Sequence, residues 1–421
     1  MFPTDSHRPK GGAIHIIQER NMIKFELEKI FNIKIVLVIF VLTALFYNMF
    51  LNTNYFATSN KGAEDKLCTI LMKDYGTKFP VSERGKLEEI KQEYIEKVDK
   101  YIAGDEVLKN AGITNYKDYK SMRAEDGLDD KVRDKINDLS YGSYGEETFL
   151  IQETDYWQEW KAAVQFAGLN KEKAKSNVKE NVSRYMGNTK LINAKFLKRM
   201  ENLYMRDYTS LLSEDAADCV KNDLPLIGLL MLICSVLLII PYQIRERIRN
   251  VNTLFYTTKQ GRNLFNTRIA SAIITTVIVG VVHTIIFYVY LIIRGVGKYF
   301  DCPIYCTARS NAWYDLNFGT YICLNLLLYI FAIMSLIILY FLISKISLNY
   351  VVGFASAIPF TVIIAIIFNK IMYGYLLIGN KMKIVNDVYR PIFICVSFII
   401  IGVIVAVALA KHEKKKDVLV C

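Results

Sequence analysis

Six stretches of this chain run for about 17 to 25 residues with almost no charge, the length a helix needs to cross a hydrocarbon layer about 30 Å thick. They cover Ile35–Leu51, Pro225–Pro241, Ile269–Ile293, Tyr321–Ile343, Tyr350–Phe368 and Pro391–Ala410. Apolar residues collected in such blocks, rather than spread at helix or strand period, describe an integral membrane protein. The expected fold is all-α, with six transmembrane helices and a large, mainly helical extracytoplasmic domain between helices 1 and 2. About 34 mixed residues precede the first block, and only a weak small-residue site follows it, so that block reads as a retained anchor.

Lysine and arginine in short loops set the orientation. Between Gln243 and Arg268 stand six arginines and lysines against the single acid Glu246, and the tail has Lys411, Lys414, Lys415 and Lys416. Both segments are expected in the cytoplasm, with both termini inside the cell membrane. The loop with Lys370, Lys381, Lys383 and Arg390 votes the other way, but the alternation of six spans outweighs it. The resulting division is a cytoplasmic segment over 1–34, the first span over 35–52, the outer domain over 53–223, the membrane domain over 224–411 with its loop at 243–268, and a tail over 412–421. The net charge of +11 then suits anionic membrane lipids, and nucleic acid is not an expected partner.

Within the outer domain, Leu87, Ile90, Tyr94, Val98 and Tyr101 fall on one face of a helix that starts at Ser82 and ends near Gly104. A second helix carries Phe149, Tyr156, Trp157, Trp160, Val164 and Phe166 up to Gly168. The stretch from Lys171 to Asp218 has room for two more, and no strand-like alternation competes. The two tryptophans are core residues sooner than a ligand platform. Of the eight cysteines, Cys68, Cys219, Cys302 and Cys306 lie on the expected outer side, where disulfides persist. Four cysteines allow three pairings or four thiols. Cys68 with Cys219 and Cys302 with Cys306 are the expected pairs.

No phosphate-binding loop, H-E-x-x-H, G-x-S-x-G or pair of intramembrane aspartates occurs. No catalytic, cofactor-binding or metal-ligating set is therefore expected. His283 is the one ionisable residue well inside a block, a candidate for the translocation path or, more simply, a bridge between helices. Pro359 is expected to kink the fifth span, and Gly353 with Ala357 to admit another helix closely.

Two polar-flanked segments are amphipathic. Ile23, Leu27, Ile30 and Phe31 line one side of a helix before the first span, an interfacial elbow. Ile244, Ile248, Val251 and Phe255 recur at steps of four, three and four, and Gly261 reads as the stop or turn after them. This layout resembles the permease subunit of ABC-2 type ABC transporters. The likeness rests on the elbow, one span, a large outer insertion, a span followed by "ERIRNVNTLFYTTKQGR" and four more spans. It covers roughly residues 20–50 and 224–411. The resemblance implies a half-transporter with a second permease subunit and separate ATPase subunits that carry ATP and magnesium. It also implies coupling to the ATPase through the loop after the second span. Glu246, Leu254, Thr257, Gly261 and Arg262 match that segment, and Arg245 and Arg249 belong to the same basic stretch. A membrane sensor or scaffold whose outer domain binds a partner is the alternative. A secondary transporter is disfavoured by spans with almost no charged residues.

Overall fold

The computed structural model describes residues 22–54, 62–123, 125, 127–164, 198, 202, 206–248, 261–304, 315–371, 393, 396–405 and 407. It is mostly helical. Four helices are long and apolar enough to cross a membrane, and a fifth is counted if a bent pair forms one span. That pair is α1 (Met22–Ile30) and α2 (Ile33–Met49), which meet at 56°. Asn32 makes the break, because its side chain accepts from the Lys34 amide and caps α2 from an extended backbone.

The polar helices α3 (Ala63–Tyr75), α4 (Gly85–Gly104), α5 (Glu106–Asn110), α6 (Tyr116–Met122), α7 (Asp130–Tyr141) and α8 (Gly145–Val164) follow. Strands β1 (Lys78–Pro80) and β2 (Tyr208–Ser210) pair antiparallel, Phe79 opposite Thr209. The long apolar helices then come in succession as α9 (Glu214–Ile248), α10 (Gly261–Ile293), α11 (Phe318–Ile346) and α12 (Tyr350–Ile371). A short apolar helix, α13 (Val396–Val405), lies in the sixth block.

The bundle is organised around α9. This helix touches α2, α10, α11 and α12, and 72% of its apolar window is buried, against 22% for α12. On α2 the buried residues are Thr43 and Tyr47, while Leu37, Val38, Phe40 and Val41 are exposed. Leucines and isoleucines such as Ile227, Leu230, Leu232 and Ile239 fill the inner face of α9; because lipid tails are equally apolar, small residues and hydrogen-bonding groups add to what draws these helices together. A Cβ on Gly228 of α9 would lie 2.3 Å from the Tyr329 ring, and one on Gly280 of α10 would lie 2.5 Å from Ile330. Those two glycines set how closely α11 approaches.

The second apolar block is bounded by Pro225 and Pro241 in sequence, yet α9 runs through both and far beyond. The block ends where charge begins. The helix continues because nothing in 214–224 or 242–248 stops it, and neighbouring helices tolerate prolines inside apolar spans. Gly261, expected as a stop or turn, lies within α10, and the residues before it are outside the described residues. At its other end α10 closes on Gly295 at φ 86°, with Val296 N–H reaching Leu291 O and Gly295 N–H reaching Ile292 O. Only a residue without Cβ takes that left-handed position cheaply. Pro359 sits on an exposed face of α12, and the helix is continuous through it. Gly353 packs onto Ile240 and Ile244, so the close neighbour expected there is α9.

In the polar domain, α8 packs on α3, α4 and α7. Leu87, Ile90, Tyr94 and Val98 of α4 are buried as their spacing predicts, but Ile102 completes the stripe and Tyr101 is only half-buried. Ser82 lies in a 3-10 turn over Val81–Glu83, and α4 starts at Gly85 without a side-chain cap. Trp157 is core at 1% exposure, its indole N–H donating to Glu153. Phe149 is exposed, because α8 buries Leu150 and Ile151 instead. The small β1–β2 pairing was not foreseen, since three residues including a proline carry no readable alternation. Residues 165–197, which hold most of the third expected helical stretch, are outside the described residues.

Candidate functional site: the two ends of the second long helix

The elbow end of α9 gathers the described part of the expected coupling region. On α1, Ile30 is fully buried and Ile23, Leu27 and Phe31 are half-buried, so the amphipathic stripe packs as its spacing predicts. Glu26 falls on the same face and is 2% exposed. Burying a carboxylate is costly unless its oxygens are satisfied, and two partners answer it. The Tyr242 hydroxyl of α9 donates to one oxygen, and Lys29 Nζ lies 3.1 Å from the other. One helical turn further along α9, Arg245 Nη2 donates to the Lys29 carbonyl at 2.7 Å. The last carbonyls of a helix lack partners within it, and a cation at that end also opposes the helix dipole. Tyr242 and Arg245 thereby fasten α1 to the end of α9.

The rest of that region is partly visible. Gly261 and Arg262 lie in the first turn of α10, and Glu246 lies in the last turn of α9. Arg249, Leu254 and Thr257, with Val251 and Phe255, are outside the described residues. Ile244 and Ile248, the described part of the amphipathic run, lie within α9.

Midway along the bundle, His283 of α10 is 3% exposed. Its Nδ1 is 2.8 Å from the Val279 carbonyl, which places the proton on that nitrogen and leaves Nε2 as acceptor. Nε2 faces Thr43 Oγ1 of α2 at 3.3 Å and Cys234 Sγ of α9 at 3.7 Å. Tyr47 adds a contact to the His283 carbonyl at 3.5 Å. A ring whose partners are a hydroxyl, a thiol and a carbonyl joins three helices; it has no carboxylate in that set to pass a proton to.

At the domain end, Asp223 of α9 is completely buried. Its carboxylate accepts from Asn52 N at 2.5 Å and Nδ2 at 2.9 Å, from Thr53 N at 2.9 Å, and from the Thr53 hydroxyl. Four donors from the segment after α2 converge on one acid and offset part of the cost of burying it. Asn54 donates to the Tyr47 carbonyl at 2.7 Å and accepts from the Tyr290 hydroxyl at 2.8 Å, which brings α10 into the same joint. A second joint holds the polar domain. Asp65 of α3, 2% exposed, meets Lys298 Nζ at 2.8 Å and accepts from the Tyr299 hydroxyl at 2.5 Å, just beyond α10. Lys298 also donates to Thr69 at 2.7 Å. Burial pushes the Tyr299 phenol well above its ordinary range.

Sequence reasoning missed both joints; only the first had a faint signal, in Asp223 and an Asn-Thr-Asn run, each beside an apolar block. The bridge expected between Cys68 and Cys219 is not made, and both residues are thiols. Cys68 is buried near Tyr299, whereas Cys219 neighbours Tyr290. Cys302 is a buried thiol whose pKa burial pushes up to about 12, a state too protonated for nucleophilic work. Its expected partner, Cys306, lies outside the described residues. Among the described residues no group of three or more His, Cys, Asp or Glu could hold a metal ion. Comparison with family models, with characterised proteins and with solved structures returns no match.

Proposed function

We propose that this chain is the membrane-spanning half of an ATP-driven transporter of the ABC-2 kind, coupled to a separate ATPase subunit at the elbow end of α9 and α10. The observation that supports this reading most is the fastening of α1 to α9 through Glu26–Tyr242 and Arg245–Lys29. A force applied to the segment between Ile248 and Gly261 reaches two span ends and the interfacial helix together. The long helices on either side of that segment, 35 and 33 residues, carry such a push across the bilayer better than a flexible loop. In this reading both termini and the elbow are cytoplasmic, the polar domain is outside, six spans are made, and a second permease subunit completes the path. The chain contributes no ATP site of its own.

The test is purification of the full chain from its native membrane in mild detergent, with mass spectrometry of what accompanies it. A stoichiometric ATP-binding-cassette subunit is expected, and Glu246→Ala or Arg262→Ala should release it without lowering the amount of permease in the membrane. A chain that purifies without any ATPase, or an elbow that is labelled from outside intact cells, refutes the proposal and favours a sensor or scaffold.

A further inference from the structure

A cavity of about 730 Å³ opens in the polar domain between the start of α3, the α7–α8 turn and the first turn of α9. Its size falls within the range of small-molecule pockets. Two kinds of side chain dominate its wall. Glu64, Glu146 and Asp215 bring carboxylates from three helices, with Glu153 a fourth, and Tyr141, Phe149 and Tyr156 bring aromatic rings. No lysine or arginine is among the described residues that line it. Among the described residues, Lys66 pairs with one of these acids, 3.0 Å from Glu146.

This combination selects one ligand chemistry. The carboxylates favour a positive charge, but no three of the described acids converge well enough to bind a metal ion. A hard cation such as calcium needs six to eight oxygens at 2.3–2.6 Å. A diffuse organic cation does not, because its charge is spread over carbon and its apolar body can lie against ring faces. Tyr141 and Phe149 stand 6.0 Å apart, inclined at 55°. The Tyr141 ring already holds a cation, since the Arg123 guanidinium sits 5.7 Å from its centroid. Gly62 and Gly142, both in the wall, stand where a side chain would not fit. A Cβ on Gly62 would come within 2.8 Å of an Asp215 oxygen, and one on Gly142 would come within 2.0 Å of an Asp138 oxygen.

We infer that this cavity binds a small organic cation with an apolar body, of the substituted-ammonium class, seated between Glu146 and Asp215 with its carbon skeleton against Phe149 and Tyr156. The inference is independent of the transporter reading, for binding here needs neither a partner subunit nor ATP.

The test is calorimetric titration of the full chain, in nanodiscs of zwitterionic lipid, with benzyltrimethylammonium and with benzyl alcohol as the neutral comparator. A single saturable site for the cation is expected, with none for the alcohol over the same range. Glu146→Gln and Phe149→Ala, both at exposed positions, should each weaken it about three- to tenfold, and Gly104→Ala should not. Size exclusion shows that the variants remain folded. The inference is overturned by no saturable binding, by equal binding of both compounds, by an affinity indifferent to both variants, or by stoichiometric displacement with millimolar magnesium or calcium.

Discussion

Lys298→Met should loosen the polar domain from the bundle by an amount that can be worked from the joint itself. The substitution keeps the length of the stem and removes the ammonium that lies 2.8 Å from Asp65 Oδ1. Breaking a buried pair by removing one partner costs about 3–5 kcal/mol, because the remaining charge is left without compensation. Here the Lys298 side chain is 28% exposed and Asp65 only 3%, so water partly replaces the ammonium. The Tyr299 hydroxyl also still donates to Asp65. A cost of about 2–3 kcal/mol for local opening is the resulting figure. Cys68 reports it directly, since it sits one helical turn from Asp65 on α3 and is fully buried. Its labelling by a maleimide, read by mass spectrometry of its peptide, requires the joint to open. If reclosing is faster than labelling, the rate should rise roughly 30- to 150-fold, at tenfold per 1.4 kcal/mol. Adding Asp65→Asn removes the stranded charge and should bring the rate back toward the parent. A change below threefold in Lys298→Met, or a double variant that labels faster than the single one, refutes the account of this joint.

Asp223→Ala should strip four hydrogen bonds from Asn52 and Thr53 and cost about 2–4 kcal/mol. Loss of monodisperse protein after heating in detergent checks this, and Asp223→Asn should fall between the two. Gly228→Ala forces a methyl group against the Tyr329 ring and should cost about 1–3 kcal/mol as overpacking, whereas Gly104→Ala, with open space around it, should be neutral in the same heating assay. Acid should loosen α5. The Lys135 ammonium, followed by the Leu108 and Val107 amides, holds the Asp105 carboxyl below its ordinary range. A depressed folded pKa contributes stability above the ordinary value near 4 and loses it as pH falls through the lower one. Hydrogen exchange at Val107 and Leu108, corrected for intrinsic rate, should therefore show constant protection above about pH 5 and declining protection below about 4. Asp105→Ala should abolish that dependence.

Much of the membrane architecture could be read from hydropathy, because spanning length and freedom from charge are imposed by the solvent rather than by partners. The apolar stretches found in α10, α11 and α12 begin and end within a few residues of the blocks. Where helices stop was less legible. The second block ends at Pro241, whereas α9 continues at least to Ile248, and no local residue type announces the difference. The stripe of α4 was readable from its period, except that Ile102 takes the place assigned to Tyr101, whose phenol turns outward to Asp138. The joints were nearly invisible. Asp65 and Lys298 lie 233 positions apart, and no local pattern relates residues so distant in the chain. His283 could be singled out as unusual, but its role depends on Thr43 and Cys234, which carry no mark of their own in the sequence.

Thirty-five residues of unbroken helix make α9 about 52 Å long, at 1.5 Å per residue, while the hydrocarbon layer of a membrane is about 30 Å thick. Asp223 grips it near one end, and Tyr242 and Arg245 grip it near the other. Such a rod behaves as a see-saw. A tilt of about 10° around its middle would swing each tip through roughly 4–5 Å in opposite directions, so a rearrangement at the α1 junction that tilts the rod would carry an opposite displacement to the floor of the polar domain.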